Sequence, residues 1–138
     1  QSPPCFELSG TRRWLPGTDP TAVEAEFRAV LAAIEERPGI TCQGMFHFVR
    51  DAYELDPEHE AARSFQFACR AVMGAELPAG FKPFVDDGNT FYALAGIPAI
   101  THGPDAKGAH TVEEEVPVAE LVRVAQVYAL TAIAFCGD

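Results

Sequence analysis

The sequence lacks the closely spaced cysteines that form zinc fingers and redox pairs. Its four cysteines stand at positions 5, 42, 69 and 136, with no CxxC pair and no histidine at zinc-finger spacing. A cysteine-based zinc site of the usual kind is therefore excluded. Cys42 and Cys69 lie within apolar patterns, which favours buried free thiols in a cytosolic protein. A disulfide between distant cysteines stays open at this point.

Positive charge is also scarce. The chain has 10 lysines and arginines against 20 aspartates and glutamates, a formal net charge of −10. Because an acidic surface repels phosphate backbones, no nucleic-acid partner is expected, and the acidity is interpreted as a source of solubility. No apolar run approaches the length of a membrane span, and residues 1–4 lack the basic start of a signal peptide. We therefore predict a cytoplasmic protein with no membrane partner.

The first part of the chain predicts a strand, a helix and a second strand. Residues 5–15 are typical of a strand and end at a Pro-Gly break. Asp19 followed by Pro20 indicates a helix start, because aspartate caps free N–H groups and proline is tolerated in the first turn. Apolar residues then recur at helical spacing, and residues 40–50 predict the second strand. Such a strand–helix–strand unit usually belongs to a parallel sheet.

The organisation changes near residue 52, where long loops begin to separate the predicted elements. These elements are a helix at 56–73, an extended segment at 81–85, a helical turn at 91–95, a buried strand at 97–100, a loop at 101–110 and a helix at 116–135. The last helix is expected to turn an apolar stripe inward, formed by Val118, Leu121, Val122, Ala125, Tyr128, Ala129 and Ile133. The fold class predicted for the whole chain is α/β. Long ordered loops at strand ends are where sites usually lie in such proteins.

His110 is the histidine whose surroundings best suit a ligand. It follows a Gly-rich loop and precedes the acids 113–115, so its imidazole could point into a cleft. The alternative is a structural histidine, because a zinc site needs three or four ligands and acids before a helix can simply complement its dipole. His47 and His59 are interpreted as surface or structural residues, and His102 as a weaker candidate.

Residues 86–89, with the sequence Asp-Asp-Gly-Asn, form a second candidate site. Two adjacent carboxylates could bind a cation or hold a loop. The alternative is an Asp-Gly turn that caps the following helix. Arg12 and Arg13 could bind an anion, although such pairs more often lie on a solvated surface.

Several motifs occur along the chain in a characteristic order. Residues 96–104 begin with Gly-Ile-Pro, and residues 108–116 contain Ala-His-Thr. Upstream, residues 87–91 begin with Asp-Gly-Asn, and residues 13–17 have the sequence Arg-Trp-Leu-Pro-Gly. This set resembles the zinc-dependent aminoacylase and deacetylase family of metallopeptidases. That family includes acetylornithine deacetylase, succinyl-diaminopimelate desuccinylase and glutamate-releasing carboxypeptidases.

The resemblance implies parts of two domains. Residues 1–52 would be the second half of a lid, or dimerisation, domain built as a strand–helix–strand. Residues 53–138 would be the C-terminal part of an α/β catalytic domain. His110 matches a zinc ligand of the family, and Asp87 and Asn89 match a loop near the bound substrate. The resemblance implies that Asn89 contacts the substrate and that Asp87 orders the loop.

Two positions depart from the family pattern. Asp105 replaces a glycine and Val112 replaces a proline, and neither change removes a ligand.

The resemblance also implies a reaction. One or two zinc ions would activate a water, which attacks the amide of an N-acyl amino acid or a small peptide. In the family the general base and the remaining zinc ligands precede the lid, so the chain resembles a C-terminal fragment that lacks an N-terminal catalytic part. The chain alone is therefore predicted to be inactive and to bind no zinc tightly. A homodimer is expected for the complete enzyme.

Two alternative interpretations give the chain no catalytic activity. The chain could be a small acidic α/β interaction or dimerisation module that pairs through an exposed sheet edge. It could also be a degenerate family member that kept the fold and lost the chemistry.

Overall fold

The computed structural model describes residues 5–82 and 84–137. It divides into two compact units, Gln1–Tyr53 and Glu54–Asp138, which are described separately. The helices are α1 (Pro20–Glu35) in the first unit, and α2 (Glu60–Met73), α3 (Asp87–Ala95) and α4 (Val118–Cys136) in the second. Two predictions fall on residues outside the described ones. These are the lack of a signal peptide at residues 1–4 and the part of the predicted extended segment at residue 83.

The α/β fold class predicted from the sequence is wrong for this structure. The described residues contain helices and no β-strand, and the isolated bridge between Lys107 and Glu115 belongs to no sheet. Of the strand–helix–strand predicted for the lid part, the helix alone is found, and residues 97–100 form no ladder either. Apolar alternation shows which face of a segment could be buried, but a strand forms only where a second strand supplies hydrogen bonds.

Residues 40–50 pack across α1 instead of pairing as a strand. The ring of Phe46 lies 5.9 Å from that of Phe27, and Nη1 of Arg28 donates to the carbonyl oxygen of Gly44 at 2.6 Å. A Cβ on Gly44 would overlap the side chains of Phe27 and Leu31. Glycine at this position therefore allows the backbone to approach the helix closely.

The start of α1 is as predicted, and it supports a prediction about pH. Asp19 is the N-cap, and its carboxylate accepts hydrogen bonds from the hydroxyl of Thr21 at 2.7 Å and from the backbone N–H of Thr21 at 2.9 Å. These bonds hold the pKa of the Asp19 carboxyl below the 3.8 of an unperturbed aspartate. The cap therefore stabilises the helix fully above pH 3.8, and this contribution is lost as the pH falls through the lower pKa of the folded chain.

We expect Asp19→Asn to keep the cap and to remove its titration, because asparagine is an equally good N-cap acceptor. Asp19→Ala should lower helicity above pH 3.8 and should approach the parent chain as the pH falls and the parent loses its cap. Circular dichroism between pH 2 and 7 checks both variants. If Asp19→Asn loses as much helicity at low pH as the parent chain does, the loss does not come from titration of Asp19, and the prediction is contradicted.

The core of the second unit lies between α2 and α4. Ala68, Cys69 and Val127 are fully buried, and Phe65 is 8% exposed. Four of the buried positions on α2 recur at the apolar spacing of a helix, as the sequence predicts: Ala61, Phe65, Ala68 and Cys69. Burial raises the pKa of the Cys69 thiol, which keeps this cysteine neutral and unreactive. The four cysteines are free in the structure, and neither unit contains an internal disulfide.

α4 turns a different face inward from the one predicted. Val127 is its buried residue, whereas Val118 is 74% exposed and Ile133 is 67% exposed. The helix is apolar nearly all round, so spacing alone does not select the face that packs. Its 19 residues have a mean hydropathy of 1.5, which in length and composition would suffice to cross a membrane. The sequence led to the expectation that no apolar run would approach the length of a membrane span, and α4 does not meet that expectation. Core helices of soluble proteins reach the same length and hydropathy.

Candidate functional site

His110 lies at the tip of a loop that is closed by backbone hydrogen bonds. Lys107 and Glu115 form the antiparallel bridge, in which each N–H donates to the other residue's carbonyl oxygen at 3.0 and 3.1 Å. Inside the loop the backbone N–H and the hydroxyl of Thr111 both donate to the carbonyl oxygen of Gly108, at 3.0 and 2.7 Å. The imidazole is thus carried on a short structured loop that immediately precedes α4.

The backbone of His110 has an unusual conformation. Its φ angle is +66°, and among the described residues it is the non-glycine residue with positive φ. A left-handed conformation costs a residue with a Cβ roughly 1–2 kcal/mol. The N–H of His110 donates to Oε2 of Glu114 at 3.2 Å, which helps to hold the turn, and the side chain is exposed. Strained residues of this kind are concentrated at active sites and ligand sites.

The glutamates after His110 do not occupy the first turn of α4. The helix begins at Val118 with Pro117 as its N-cap, and the acidic residue in its first turn is Glu120. Glu115 instead forms the bridge and Glu114 accepts from His110. The alternative explanation, in which these acids simply complement the helix dipole, is therefore wrong, because their backbone and side chains build the loop.

Gly108 has little room for a side chain. Its φ is +66°, and an added Cβ would lie 3.0 Å from the hydroxyl of Thr111 and 3.2 Å from the carbonyl oxygen of Glu113. We expect Gly108→Ala to destabilise the loop by about 1 kcal/mol or more. Faster amide exchange at Lys107 and Glu115, the two bridge donors, would show this.

Gly103→Ala is the matched control, since a Cβ there meets nothing within 4 Å and no positive φ is required. Equal exchange rates at the bridge in both variants would contradict the strain assigned to position 108.

Residues 86–89 form the N-terminus of α3. Oδ1 of Asp86 accepts from the N–H of Gly88 at 2.9 Å, and Oδ1 of Asn89 accepts from the N–H of Asp86 at 3.2 Å, which completes a capping box. Asn89 is 7% exposed, whereas Asp87 is exposed in the first turn. The capping turn considered as the alternative for this segment is thus present.

A cavity of about 400 Å³ opens beside this turn and is lined by Asp86, Gly88, Phe91 and residues 98–102, with neither Asp87 nor Asn89 in its lining. A second cavity of about 330 Å³ lies below the His110 loop and is lined by Asp105, Lys107, Glu120 and residues 115–117. The two cavities share no lining residue, and His110 lines neither of them. The structure therefore does not bring the candidate ligand and the candidate substrate-binding residues to one cavity.

His102, the weaker candidate of the sequence, lies against the core. Its ring is 5.1 Å from that of Phe65 and 5.7 Å from that of Tyr128, both in edge-on geometry. The Tyr128 hydroxyl donates to the backbone oxygen of His102, and burial raises the pKa of that phenol. Nδ1 of His102 is buried and has no hydrogen-bond partner in the part of the chain that the structure describes. Its aromatic packing is typical of a structural histidine.

The zinc that the resemblance implies does not fit the described residues by themselves. Within residues 5–82 and 84–137, no group of three or more His, Cys, Asp and Glu side chains is placed so that it could hold a metal ion. His110 is a chemically suitable ligand, but a zinc site needs at least three protein ligands. Any zinc at His110 would need further ligands from outside this arrangement of the described residues.

Comparison of the chain with protein-family models, with curated proteins and with solved structures found no match.

Proposed function

We propose that this chain is the C-terminal segment of a zinc-dependent amidohydrolase that removes an acyl group from an N-acyl amino acid or cleaves a small peptide. The observation that carries the proposal is the left-handed, exposed His110 within the Ala-His-Thr motif. Strained backbone of this kind is concentrated at active sites and ligand sites, which supports a ligand role for His110.

The loop around His110 supports a ligand role because it is organised to hold that backbone. The bridge at Lys107 and Glu115 closes its base, and Glu114 accepts from the His110 N–H. These bonds hold the backbone of residue 110, from which the exposed imidazole would reach a zinc ion. In the proposed enzyme, His110 would hold zinc through its neutral imidazole, and the zinc would supply an activated water and stabilise the oxyanion.

Exposed apolar side chains support a segment that is covered by more protein. In the second unit Leu94 is 83% exposed, Phe67 is 58% exposed and Phe91 is 52% exposed. Exposed large apolar side chains occur throughout the described residues and outnumber the buried ones, which suits a chain that is covered by more protein. The remaining ligands and the general base are proposed to belong to that covering part.

Asp87 and Asn89 keep their proposed place near the substrate, with different roles. Asp87 is exposed and can contact a substrate, whereas Asn89 is buried and fixes the turn through Asp86. A homodimer in the cytoplasm, without nucleic-acid or membrane partners, remains the prediction for the complete enzyme.

The proposal is tested by incubating the purified full gene product with N-acetyl and N-succinyl amino acids and with dipeptides. Release of a free amine, lost on chelation and restored by added zinc, is the expected result. No amine from any substrate, with zinc supplied, would contradict the proposal.

A non-catalytic interaction module is the second candidate, because the same exposed apolar side chains also suit a protein partner. This candidate predicts a gene product that binds neither zinc nor acyl amino acids.

The chain alone should bind zinc weakly, since one imidazole cannot supply the binding free energy of a complete site. Titration of the 138-residue chain with zinc in a competing chelator measures this. Stoichiometric binding at nanomolar concentration would show that the chain already contains a full set of ligands.

A further inference from the structure

Three side chains form a closed hydrogen-bonded ring beside the α3 turn. Nζ of Lys82 donates to Oδ2 of Asp86 and to Oγ1 of Thr101, the latter at 2.6 Å. The hydroxyl of Thr101 in turn donates to the same Asp86 oxygen at 2.7 Å. Lys82 and Thr101 are 19 residues apart in sequence, so the ring joins two separate segments to the start of α3.

The carboxylate of Asp86 performs two tasks through its two oxygens. Oδ1 caps α3 by accepting from Gly88, while Oδ2 accepts from Lys82 and Thr101. The position of the first oxygen is therefore fixed by the partners of the second. Through the capping box, this also fixes the turn that contains Asp87 and Asn89.

The ring is less exposed than an ordinary surface ion pair. The side chains of Lys82 and Asp86 are 21% and 32% exposed, whereas those of Arg63 and Glu58, an ion pair near the start of α2, are 66% and 76% exposed. Nζ of Lys82 also lies 5.2 Å from the centre of the Phe84 ring. Because solvent screens a partly buried ion pair less, the pair restrains its two side chains more strongly than a solvated pair does.

We propose that Lys82 and Thr101 are positioning residues, which hold the Asp87–Asn89 turn in place for the substrate by fixing the carboxylate of Asp86. This inference rests on the proposed function, since it assigns that turn to substrate contact. Neither residue needs to touch the substrate.

The test compares Lys82→Met and Thr101→Val in the full gene product, because each keeps the apolar part of the side chain and removes the donor. Arg63→Met is the matched control, since it removes an exposed ion pair elsewhere in the same unit. For each variant, kcat and KM are measured on the best acyl amino acid, and amide exchange is measured at residues 86–89.

We expect a KM about 10-fold higher in both ring variants, the size expected when a hydrogen bond to a charged group is lost, with kcat within about twofold of the parent. Exchange at residues 86–89 should be faster in both, and Arg63→Met should change neither quantity. An active enzyme with unchanged KM in the ring variants would overturn the inference and leave the proposed function standing.

If the parent enzyme itself hydrolyses no substrate, the proposed function fails. The amide exchange rates at residues 86–89 then test whether the ring holds the turn. Faster exchange at residues 86–89 in the ring variants alone would support its role in holding the turn. Exchange equal to that of the parent would overturn it.

Discussion

Replacing His110 with alanine should reduce amide hydrolysis by the full gene product by more than about 100-fold. Groups that merely orient a metal ligand already contribute 10- to 100-fold, so the loss of a ligand itself should cost more. Bound zinc should fall in parallel, because removing one of three or four ligands weakens the site. The measurements are kcat/KM on the best substrate and zinc per chain by elemental analysis.

His47→Ala is the control for this variant. His47 is an exposed histidine of the first unit and has no proposed role in the site. Both variants therefore remove one exposed imidazole, and only His110→Ala should lose zinc. Full activity and full zinc in His110→Ala would show that the left-handed histidine is not a ligand.

Replacing Phe65 with alanine should lower the free energy of unfolding of the chain by about 3 kcal/mol. Phe65 is 8% exposed and belongs to the small core between α2 and α4. Its ring also covers one side of His102, at 5.1 Å, so the substitution would open a cavity in the only part of the second unit that is well packed among the described residues. Urea denaturation followed by helicity measures the change.

Phe67→Ala on the same helix is the matched control. Phe67 is 58% exposed, so its truncation in the 138-residue chain should change the free energy of unfolding by less than about 0.5 kcal/mol. A loss of similar size in both variants would contradict the orientation of α2 described above.

Local signals predicted the helices well. The Asp19–Pro20 start of α1 was predicted from capping chemistry and was found, because it depends on neighbouring residues alone. The start of α2 was predicted about four residues too early, since His59 serves as its N-cap through Nδ1. Histidine is a rare cap, so composition gave no indication of this.

The strands could not be predicted from local pattern. Residues 5–15 and 40–50 have the apolar content of strands, but a ladder depends on partners elsewhere in space. Stacking of Trp14 on Phe48, with ring centres 6.0 Å apart, and the bond from Trp14 Nε1 to Asp51 at 2.9 Å bring the two segments together without a sheet. Such tertiary contacts leave no periodic signal.

The candidate site was predicted in part. The capping turn at residues 86–89 was recognisable from its Asp-Gly-Asn sequence. The left-handed backbone of His110 was not, because positive φ is rare outside glycine and depends on the bridge that closes the loop. The partnership of Lys82 with Thr101 was also missed, since nothing in a single sequence links residues so far apart.

The central claim is that this chain is part of a larger zinc enzyme, and one measurement on the native gene product tests it most directly. Native mass spectrometry gives the intact mass and the bound metal together. We predict a mass well above the 14.9 kDa of this chain, with zinc bound. A mass of 14.9 kDa without zinc would contradict the account and would make His110 a structural residue of a non-catalytic module.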